Sequence, residues 1–385
     1  MVNNRERAIA VLHYQDYDRL PVVHFGFWKE TLVKWASEGH ITDQEAALWG
    51  DNNPTDASIS AKLGFDFNWS NTFSPATRLD PPIESKVLEV LPDGTRKVLD
   101  GNGVVILEKD DATGIPTEIE HLFKGREQWE EIYRPRLQYT EDRVTRALVN
   151  TGTELLPYTE GGLEYLKCGD WQTPYGLSCG SLYGVIRNWL GMVGSVYLLA
   201  DDEPLMDEII DTVGELCFLC VERALAGGAH FDFGHFWEDI CFKSGPLINP
   251  AVFRAKVGPH YKRITDLLLT FGIDIVSLDC DGKIDELVPI WLENGVNTMF
   301  PIEVGTWEAS IQPWREKYGR QVLGVGGVDK KVFARDYAAI DAEVERLKPL
   351  VDLGGYIPCI DHRLPPDAEW ENVQYYCAKM REAFG

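Results

Sequence analysis

The sequence has few basic residues, and it shows neither a long apolar run nor the pattern of a secretion signal. Its 37 Lys and Arg residues stand against 61 Asp and Glu residues, which gives a formal net charge of −24. This negative charge repels phosphate backbones and anionic membrane surfaces, so we expect neither nucleic acid nor a membrane as a partner. No uncharged apolar run reaches the roughly 18 residues of a membrane span, and the N-terminus lacks the apolar core of a signal peptide. We therefore expect a cytoplasmic protein.

Clustered cysteines are also absent. The eight cysteines are scattered along the chain, unlike the dense pattern of a small secreted scaffold, so we expect reduced thiols. Cys217 and Cys220 form a C-x-x-C, but the surrounding apolar residues recur at helical spacing. Two buried helix cysteines are therefore favoured there over a redox or zinc pair.

A dinucleotide-binding glycine motif is missing as well. No G-x-G-x-x-G follows an early strand, and GVGGVD at 324–329 is only a weak match. Hydrophobic residues make up 44% of the chain and charged residues 25%, as in ordinary globular proteins. The chain therefore has the composition of a folded protein, without the fingerprint of a Rossmann fold.

From about residue 150, short apolar strands alternate with longer helical segments, which is typical of parallel βαβ units. Strands are predicted at 22–28, 155–162, 173–181, 230–239, 274–282, 298–305, 321–329 and 354–362. Helices are predicted at 3–13, 204–227, 250–272, 283–295 and 339–354. A count of about eight strands favours an α/β fold of the (β/α)8 TIM-barrel type, with residues 1–385 as one domain.

Residues 84–120 differ from this pattern. They alternate apolar and polar positions around a Pro-Asp-Gly turn and a Gly-Asn-Gly turn. That alternation predicts a β-meander, which we interpret as a small insertion in the barrel domain.

The predicted strand 274–282 ends in two acids. Period-two alternation places Asp279 and Asp281 on one side of the strand and Cys280 on the other. Two carboxylates so close are costly unless one is protonated or a cation lies between them. With Glu303 and His362 from later strand ends, they form an oxygen-rich set that suits zinc, and magnesium or manganese less well.

Active sites of such barrels lie at the C-terminal ends of the strands, so polar and aromatic residues there are the candidates. We predict catalytic roles for Glu238 and Asp279, metal binding by Asp281, Glu303 and His362, and substrate binding by His24, His235, Trp237 and Cys359. The aromatic residues near these ends favour a pocket for a flat aromatic ligand.

Structural alternatives stay open for several of these residues. Asp281 before Gly282 is also a typical turn former, and Glu303 could cap the following helix. His362 could form a surface salt bridge, and Cys359 could be a small core residue. His24 fits the core as well as it fits a pocket.

Four segments carry a resemblance to a known family. They are residues 3–22 (NNRERAIAVLHYQDYDRLPV), 245–264, 279–297 and 354–362 (GGYIPCIDH). They resemble the uroporphyrinogen decarboxylase superfamily, whose (β/α)8 barrels include decarboxylases and zinc-using, cobamide-dependent methyltransferases. The R-Q-A-G-R-like stretch of the decarboxylases is replaced here by HFGFWKETLVKW at 24–35. Without those arginines, an eight-carboxylate porphyrinogen is disfavoured as a substrate.

The zinc methyltransferases of that superfamily carry His-x-Cys-Gly where this chain has Asp279-Cys280-Asp281-Gly282. Carboxylates in place of imidazole and thiolate make a harder site, which suits polarising an ether oxygen. More narrowly, the chain resembles the substrate-side methyltransferase of O-demethylase systems. That resemblance implies transfer of a methyl group from an aryl methyl ether to the Co(I) corrinoid of a separate protein.

A cobalamin-binding D-x-H-x-x-G pattern is absent from this chain, so the corrinoid protein is expected to dock over the barrel mouth. Transfer in the opposite direction, from a methylcorrinoid to tetrahydrofolate, is also compatible with the resemblance. A decarboxylase or lyase acting on another carboxylic acid, with Asp279 or Asp281 handling protons, is the second hypothesis. A non-catalytic binding barrel is the third.

Overall fold

A single parallel sheet of nine strands forms the centre of the protein. The computed structural model describes residues 2–109 and 116–385. The strands are β1 Val23–His24, β2 Phe67–Asn68, β3 Thr72–Phe73, β4 Gly176–Gly180, β5 Phe233–Trp237, β6 Val276–Asp279, β7 Thr298–Phe300, β8 Leu323–Val328 and β9 Tyr356–Ile360. They pair in the order β2-β1-β9-β8-β7-β6-β5-β4-β3, and every pair is parallel. The expected α/β architecture with a parallel sheet is confirmed.

The two ends of this strand order come from one short stretch, 67–73. β2 pairs with β1 and β3 pairs with β4, with only residues 69–71 between them. Trp69 in that stretch is buried and stacks on Phe233, with ring centroids 4.6 Å apart. The sheet order therefore begins and ends at the same place on the chain.

One predicted strand was wrong. Residues 155–162 do not join the parallel sheet; Leu155–Pro157 pairs antiparallel with Leu148–Asn150 outside it. Pro157 and the two glycines that follow explain why the strand ends so soon. The stretch 67–73 takes its place in the sheet, although it contributes only two strands of two residues each.

Helices surround the sheet. They run over Asn4–Leu12, Lys29–Ser37, Asp43–Leu48, Pro54–Leu63, Arg126–Gln128, Asp142–Thr145, Leu163–Cys168, Gly184–Asp201, Glu203–Ala226, Pro250–Lys256, Gly258–Thr270, Val288–Glu293, Val304–Trp307, Ile311–Tyr318, Tyr337–Val351 and Trp370–Phe384. The predicted helix 250–272 is divided at Val257, because Pro259 cannot donate a hydrogen bond to the preceding turn. None of the helices within the described ranges has the length and apolarity needed to cross a bilayer.

The predicted meander forms a separate antiparallel sheet. Its strands are Lys86–Val90, Arg96–Leu99, Val104–Glu108 and Thr117–His121, paired in chain order. Residues 110–115 of the predicted segment lie outside the described residues. A further short hairpin pairs Cys241–Phe242 with Gly245–Pro246 beyond the end of β5. Cys217 and Cys220 are buried in the helix Glu203–Ala226, as free thiols.

A buried guanidinium fixes the segment that follows β3. Arg143 is 2% exposed and donates to the carbonyl oxygens of Ala76 at 2.6 Å, Arg78 at 2.8 Å and Gln138 at 2.8 Å. A further bond runs to the carbonyl of Arg136. The charge of Arg143 is therefore balanced by four backbone dipoles, which hold residues 76–78 in one conformation.

Replacing Arg143 by Met should lower the free energy of unfolding by about 3 kcal/mol, because four carbonyl groups lose their donor in a buried place. Urea denaturation followed by circular dichroism measures this. The matched control is Arg146→Met, since the Arg146 side chain is 66% exposed and its salt bridges are with surface acids. That control should change stability by no more than about 0.5 kcal/mol. Equal losses for the two variants would contradict the assigned role of Arg143.

Candidate functional site

Three aspartates meet at the C-terminal ends of two neighbouring strands. Asp239 follows β5, Asp279 is the last residue of β6, and Asp281 lies just beyond it. Each offers a carboxylate oxygen, and the three oxygens lie within 4.8 Å of one another. The adjacent parallel strands β5 and β6 thus place three acids at one point. Alternation along 279–281 correctly placed Asp279 and Asp281 together.

A tight turn brings Asp281 back against Asp239. The Asp281 backbone N–H donates to Oδ1 of Asp239 at 3.2 Å. Gly282 follows with φ of +85°, and a Cβ there would meet the Cys241 carbonyl oxygen at 2.5 Å. Only glycine fits this combination of backbone angle and close approach. The Asp-Gly pair therefore forms the turn and also presents the Asp281 carboxylate to its neighbours.

The three carboxylates repel one another in an environment that is partly buried from solvent. Burial raises the pKa of the Asp279 carboxyl well above its ordinary value, and Asp239 and Asp281 raise it further. Burial and the Asp281 carboxylate raise the pKa of Asp239 to about 6. Oδ1 of Asp281 is buried and has no hydrogen-bond partner in the described structure. Such a cluster is stable when protons or a cation neutralise part of its charge.

The imidazole of His362 lies beside the cluster. Its Nε2 is 3.4 Å from Oδ2 of Asp281. The ring stacks on Trp28, with centroids 5.6 Å apart, and meets Phe25 edge-on. These aromatic contacts hold the ring in position, so the structure brings together Asp279, Asp281 and His362 from the predicted set.

Glu303 lies next to the cluster without joining it. Its Oε2 accepts the N–H of Gly282 at 2.6 Å, and its Oε1 accepts the hydroxyl of Thr306 at 2.7 Å. The Lys330 amine lies 3.8 Å from the same Oε1. With both oxygens engaged, Glu303 fixes the Gly282 turn that presents Asp281. Metal binding by Glu303 itself stays a prediction.

Glu238 is fully buried and lies on the other side of its strand. Its carboxylate accepts the backbone N–H groups of Leu182, Tyr183 and Gly184 at 2.6–3.0 Å, where the helix Gly184–Asp201 begins. The hydroxyl of Tyr261 also donates to it. An acid in this position satisfies the free amides of a helix N-terminus. The structure does not bring Glu238 to the three aspartates, and its predicted catalytic role has no support from this placement.

The residue that the sequence interpretation missed is Asp239. β5 ends at Trp237, and Asp239 follows it with φ of +49°, so the alternation of the strand does not extend to its side chain. Phe236 packs on the outer helices, with its ring 4.9 Å from that of Tyr261. The position of Asp239 at the end of the predicted strand 230–239, directly before the predicted strand 274–282, is the signal that could have selected it.

The two predicted substrate-binding histidines are both buried. His24 accepts the N–H of Gly26 at Nδ1, and its Nε2 lies 2.8 Å from the Ser60 hydroxyl. Burial lowers the pKa of His24 to about 3 and that of His235 to about 4. His235 lies inside the sheet, with Nδ1 3.2 Å from Oγ of Ser277. His24 therefore has both ring nitrogens occupied in the core, whereas His235 contacts Ser277 on the neighbouring strand β6.

Cys359 and Trp237 occupy different environments. Cys359 is fully buried within β9, and burial raises the pKa of its thiol well above the ordinary value. β9 ends at Ile360, whereas His362 lies in the bend that follows and contacts Asp281. Trp237 is half-buried and borders a cavity of about 380 Å³. Of these two, only Trp237 is open to a ligand.

Comparison with known proteins relates the fold to solved structures. No protein-family model matches the chain, and no curated protein matches it in sequence. A methyltransferase from Methanosarcina mazei has a similar structure, with a TM-score of 0.61 over 99% of each chain and 14% identity. A B12-independent methionine synthase from Shewanella sp. W3-18-1 gives a TM-score of 0.46 and 11% identity over 94% of this chain and 98% of that one. At such identities, the first likeness shows a shared fold.

Repulsion within the cluster predicts that Asp239→Asn stabilises the metal-free protein. The pKa of Asp239 is about 6 in the folded chain against an ordinary value of 3.8, so ionisation destabilises the folded state as pH rises from about 4 to above 6. In the presence of a chelator at pH 8, the free energy of unfolding of the variant should be about 2 kcal/mol higher than that of the unmodified protein. Below pH 4 this difference should vanish.

The matched control is Asp16→Asn, because Asp16 is exposed on the surface. It should show no such pH-dependent gain. Urea denaturation at several pH values in EDTA measures both variants. A loss of stability in Asp239→Asn at pH 8 would contradict the picture of a repulsive cluster.

Proposed function

We propose that this protein is a metal-dependent methyltransferase of the O-demethylase type. It takes the methyl group of an aryl methyl ether and passes it to the Co(I) corrinoid of a separate protein. The observation that carries the proposal is the group of Asp239, Asp279 and Asp281 beside His362 at the strand ends. The fold shared with a methyltransferase from Methanosarcina mazei supports it, as does the sequence resemblance.

The side chains fit a divalent cation. Three carboxylates within 4.8 Å, a buried Asp281 oxygen without a partner and an imidazole at its edge make an oxygen-rich set with one nitrogen. Such a set suits Zn²⁺, and Mg²⁺ or Mn²⁺ less well. Cys280 is not part of it: its sulfur accepts the N–H of Ile240 at 3.4 Å, away from the acids. Asp239, Asp279, Asp281 and His362 would hold the ion.

A bound Zn²⁺ supplies a Lewis acid for the ether oxygen, which makes the phenolate a better leaving group. Residues of this chain position the substrate and exclude water. Phe25 lies against Phe300, with ring centroids 4.5 Å apart, and Trp28 stacks on His362. Trp237 and Phe300 pair in register with Asp279 from the two neighbouring strands, so these rings bring apolar surface to the acids that suits an aromatic substrate. The methyl acceptor comes from the partner, since the chain has no D-x-H-x-x-G pattern.

We also infer that the nine-stranded sheet closes into a (β/α)8 barrel. The strand order begins and ends on 67–73, so one stretch borders both β1 and β4. The indole of Trp69 donates to Oγ of Ser277 on β6 at 3.1 Å, across the width of β4 and β5. A side-chain bond between strands so far apart in the order requires strong curvature of the sheet.

A second candidate is a decarboxylase or lyase that acts on another carboxylic acid. The raised pKa values of Asp239 and Asp279 favour it, because a carboxyl group that keeps its proton near neutral pH can act as a general acid. That reaction would need neither a corrinoid protein nor a metal. Activity in the presence of a strong chelator separates the two candidates.

Methyl transfer should depend on Asp281. In Asp281→Ala, transfer from methoxyphenol to free cob(I)alamin should fall by about 100-fold or more, because the ion loses a ligand. The absorbance change from cob(I)alamin to methylcobalamin measures the rate, and elemental analysis measures bound zinc. The control is Asp16→Ala, which changes an exposed acid and should keep both zinc and activity. Full activity of Asp281→Ala, or of the unmodified protein without stoichiometric metal, would contradict the proposal.

A further inference from the structure

A cavity of about 380 Å³ opens at the C-terminal ends of β4 and β5. Its walls are the segment after β3, the end of β4 and one aromatic ring of β5. The lining residues are Ser74, Pro75, Ala76, Thr77, Arg78, Ser178, Gly180, Ser181 and Trp237. Trp237 connects this cavity to the aspartates, because it pairs in register with Asp279 on the neighbouring strand β6.

The guanidinium of Arg78 lies over this ring without an anionic partner. Its central carbon is 5.3 Å from the centre of the Trp237 ring. Within residues 2–109 and 116–385, Arg78 forms no side-chain hydrogen bond and no salt bridge. By contrast, Arg363 binds the Asp51 carboxylate, and Arg187 donates to the Asp239 carbonyl oxygen at 2.8 Å. Arg78 is thus a cation near the site whose five donors are still available.

The backbone under Arg78 is fixed in advance. Buried Arg143 donates to the carbonyl oxygens of Ala76 and Arg78, at 2.6 Å and 2.8 Å, and its own carbonyl accepts the N–H of Ala76 at 2.8 Å. The indole of Trp237 supports the guanidinium from one side. A binding group held by its scaffold loses little conformational entropy when a ligand arrives.

The chemistry of this cavity matches a carboxylate. A guanidinium binds a carboxylate through two parallel hydrogen bonds. The hydroxyl of Ser178 on β4 also forms no hydrogen bond within the described part of the chain and faces the same cavity. One unpaired arginine balances one negative charge, whereas a polyanion would meet the three aspartates without compensation. A single carboxylate is therefore the anion that fits.

We propose that Arg78, with Ser178 and Trp237, binds the carboxylate of a flat aromatic acid and makes this protein selective for carboxylated over neutral aryl methyl ethers. This inference rests on the proposed function and names its substrate class. Neighbouring strands lie about 4.8 Å apart, so a benzene ring on Trp237 reaches from Arg78 towards Asp279, which pairs with Trp237 in register. The three aspartates repel the carboxylate of the substrate. The substrate therefore binds in one orientation, with its carboxylate at Arg78 and its ether oxygen at the aspartates.

Direct binding tests the site without any catalysis. Calorimetric titration of the full chain with benzoate and with benzyl alcohol should show benzoate binding at least about tenfold more tightly. Arg78→Gln should remove that preference, and Arg78→Lys should keep part of it because the charge remains. Arg146→Gln is the matched control at an exposed, salt-bridged arginine and should bind like the unmodified protein. Urea denaturation confirms that each variant is folded.

Equal binding of benzoate and benzyl alcohol by the unmodified protein would overturn the inference. An undiminished preference for benzoate in folded Arg78→Gln would do the same.

Kinetics separate this inference from the proposed function. With 4-methoxybenzoate, Arg78→Gln should raise KM by about tenfold or more at unchanged kcat, and with 4-methoxybenzyl alcohol it should change neither. If no variant transfers a methyl group, the proposed function fails and the binding titration still decides the role of Arg78. If transfer occurs and Arg78→Gln affects both substrates equally, the selectivity inference fails while the function stands.

Discussion

The candidate site depends on contacts that hold three mutually repelling carboxylates close together. Asp239, Asp279 and Asp281 lie together in a partly buried position, where their charges are poorly screened. Nothing in the described structure pairs all three with cations. The surrounding contacts instead keep the acids close: the Gly282 turn presents Asp281, and Glu303 holds that turn by its backbone N–H. Such an arrangement stores free energy that a bound cation would release.

The role of a polar side chain in this fold depends on whether its hydrogen-bonding atoms already have partners within the chain. Glu238 and Asp239 are neighbours in sequence, but Glu238 is saturated by helix amides whereas Asp239 faces other acids. Arg143 and Arg78 form a similar contrast, since the first is enclosed by carbonyl groups and the second is open to a cavity. In each pair, the residue whose hydrogen bonds are complete, Glu238 or Arg143, stabilises the surrounding backbone. The unsaturated member is the one available for a ligand.

Much of the parallel sheet was predictable from sequence, because its strands are short apolar runs that end at glycines or acids. Asp279 and Asp281 were found by the same reasoning, since a buried apolar strand seldom ends in two carboxylates. The stretch 67–73 was missed because it contributes two two-residue strands, too short for a periodic pattern to stand out. Asp239 was missed because the strand ends at Trp237, and the positive φ of Asp239, +49°, is a property of the fold that strand alternation does not predict. Arg78 gave no signal, because its lack of a partner is a property of the folded chain alone.

In the proposed function, the three aspartates and His362 hold a metal ion. A crystal structure of protein prepared with zinc, with anomalous diffraction recorded on both sides of the zinc edge, tests this most directly. We expect one strong anomalous peak within bonding distance of Asp239, Asp279, Asp281 and His362. No peak at this cluster, or a peak at Cys217 and Cys220 instead, would contradict it.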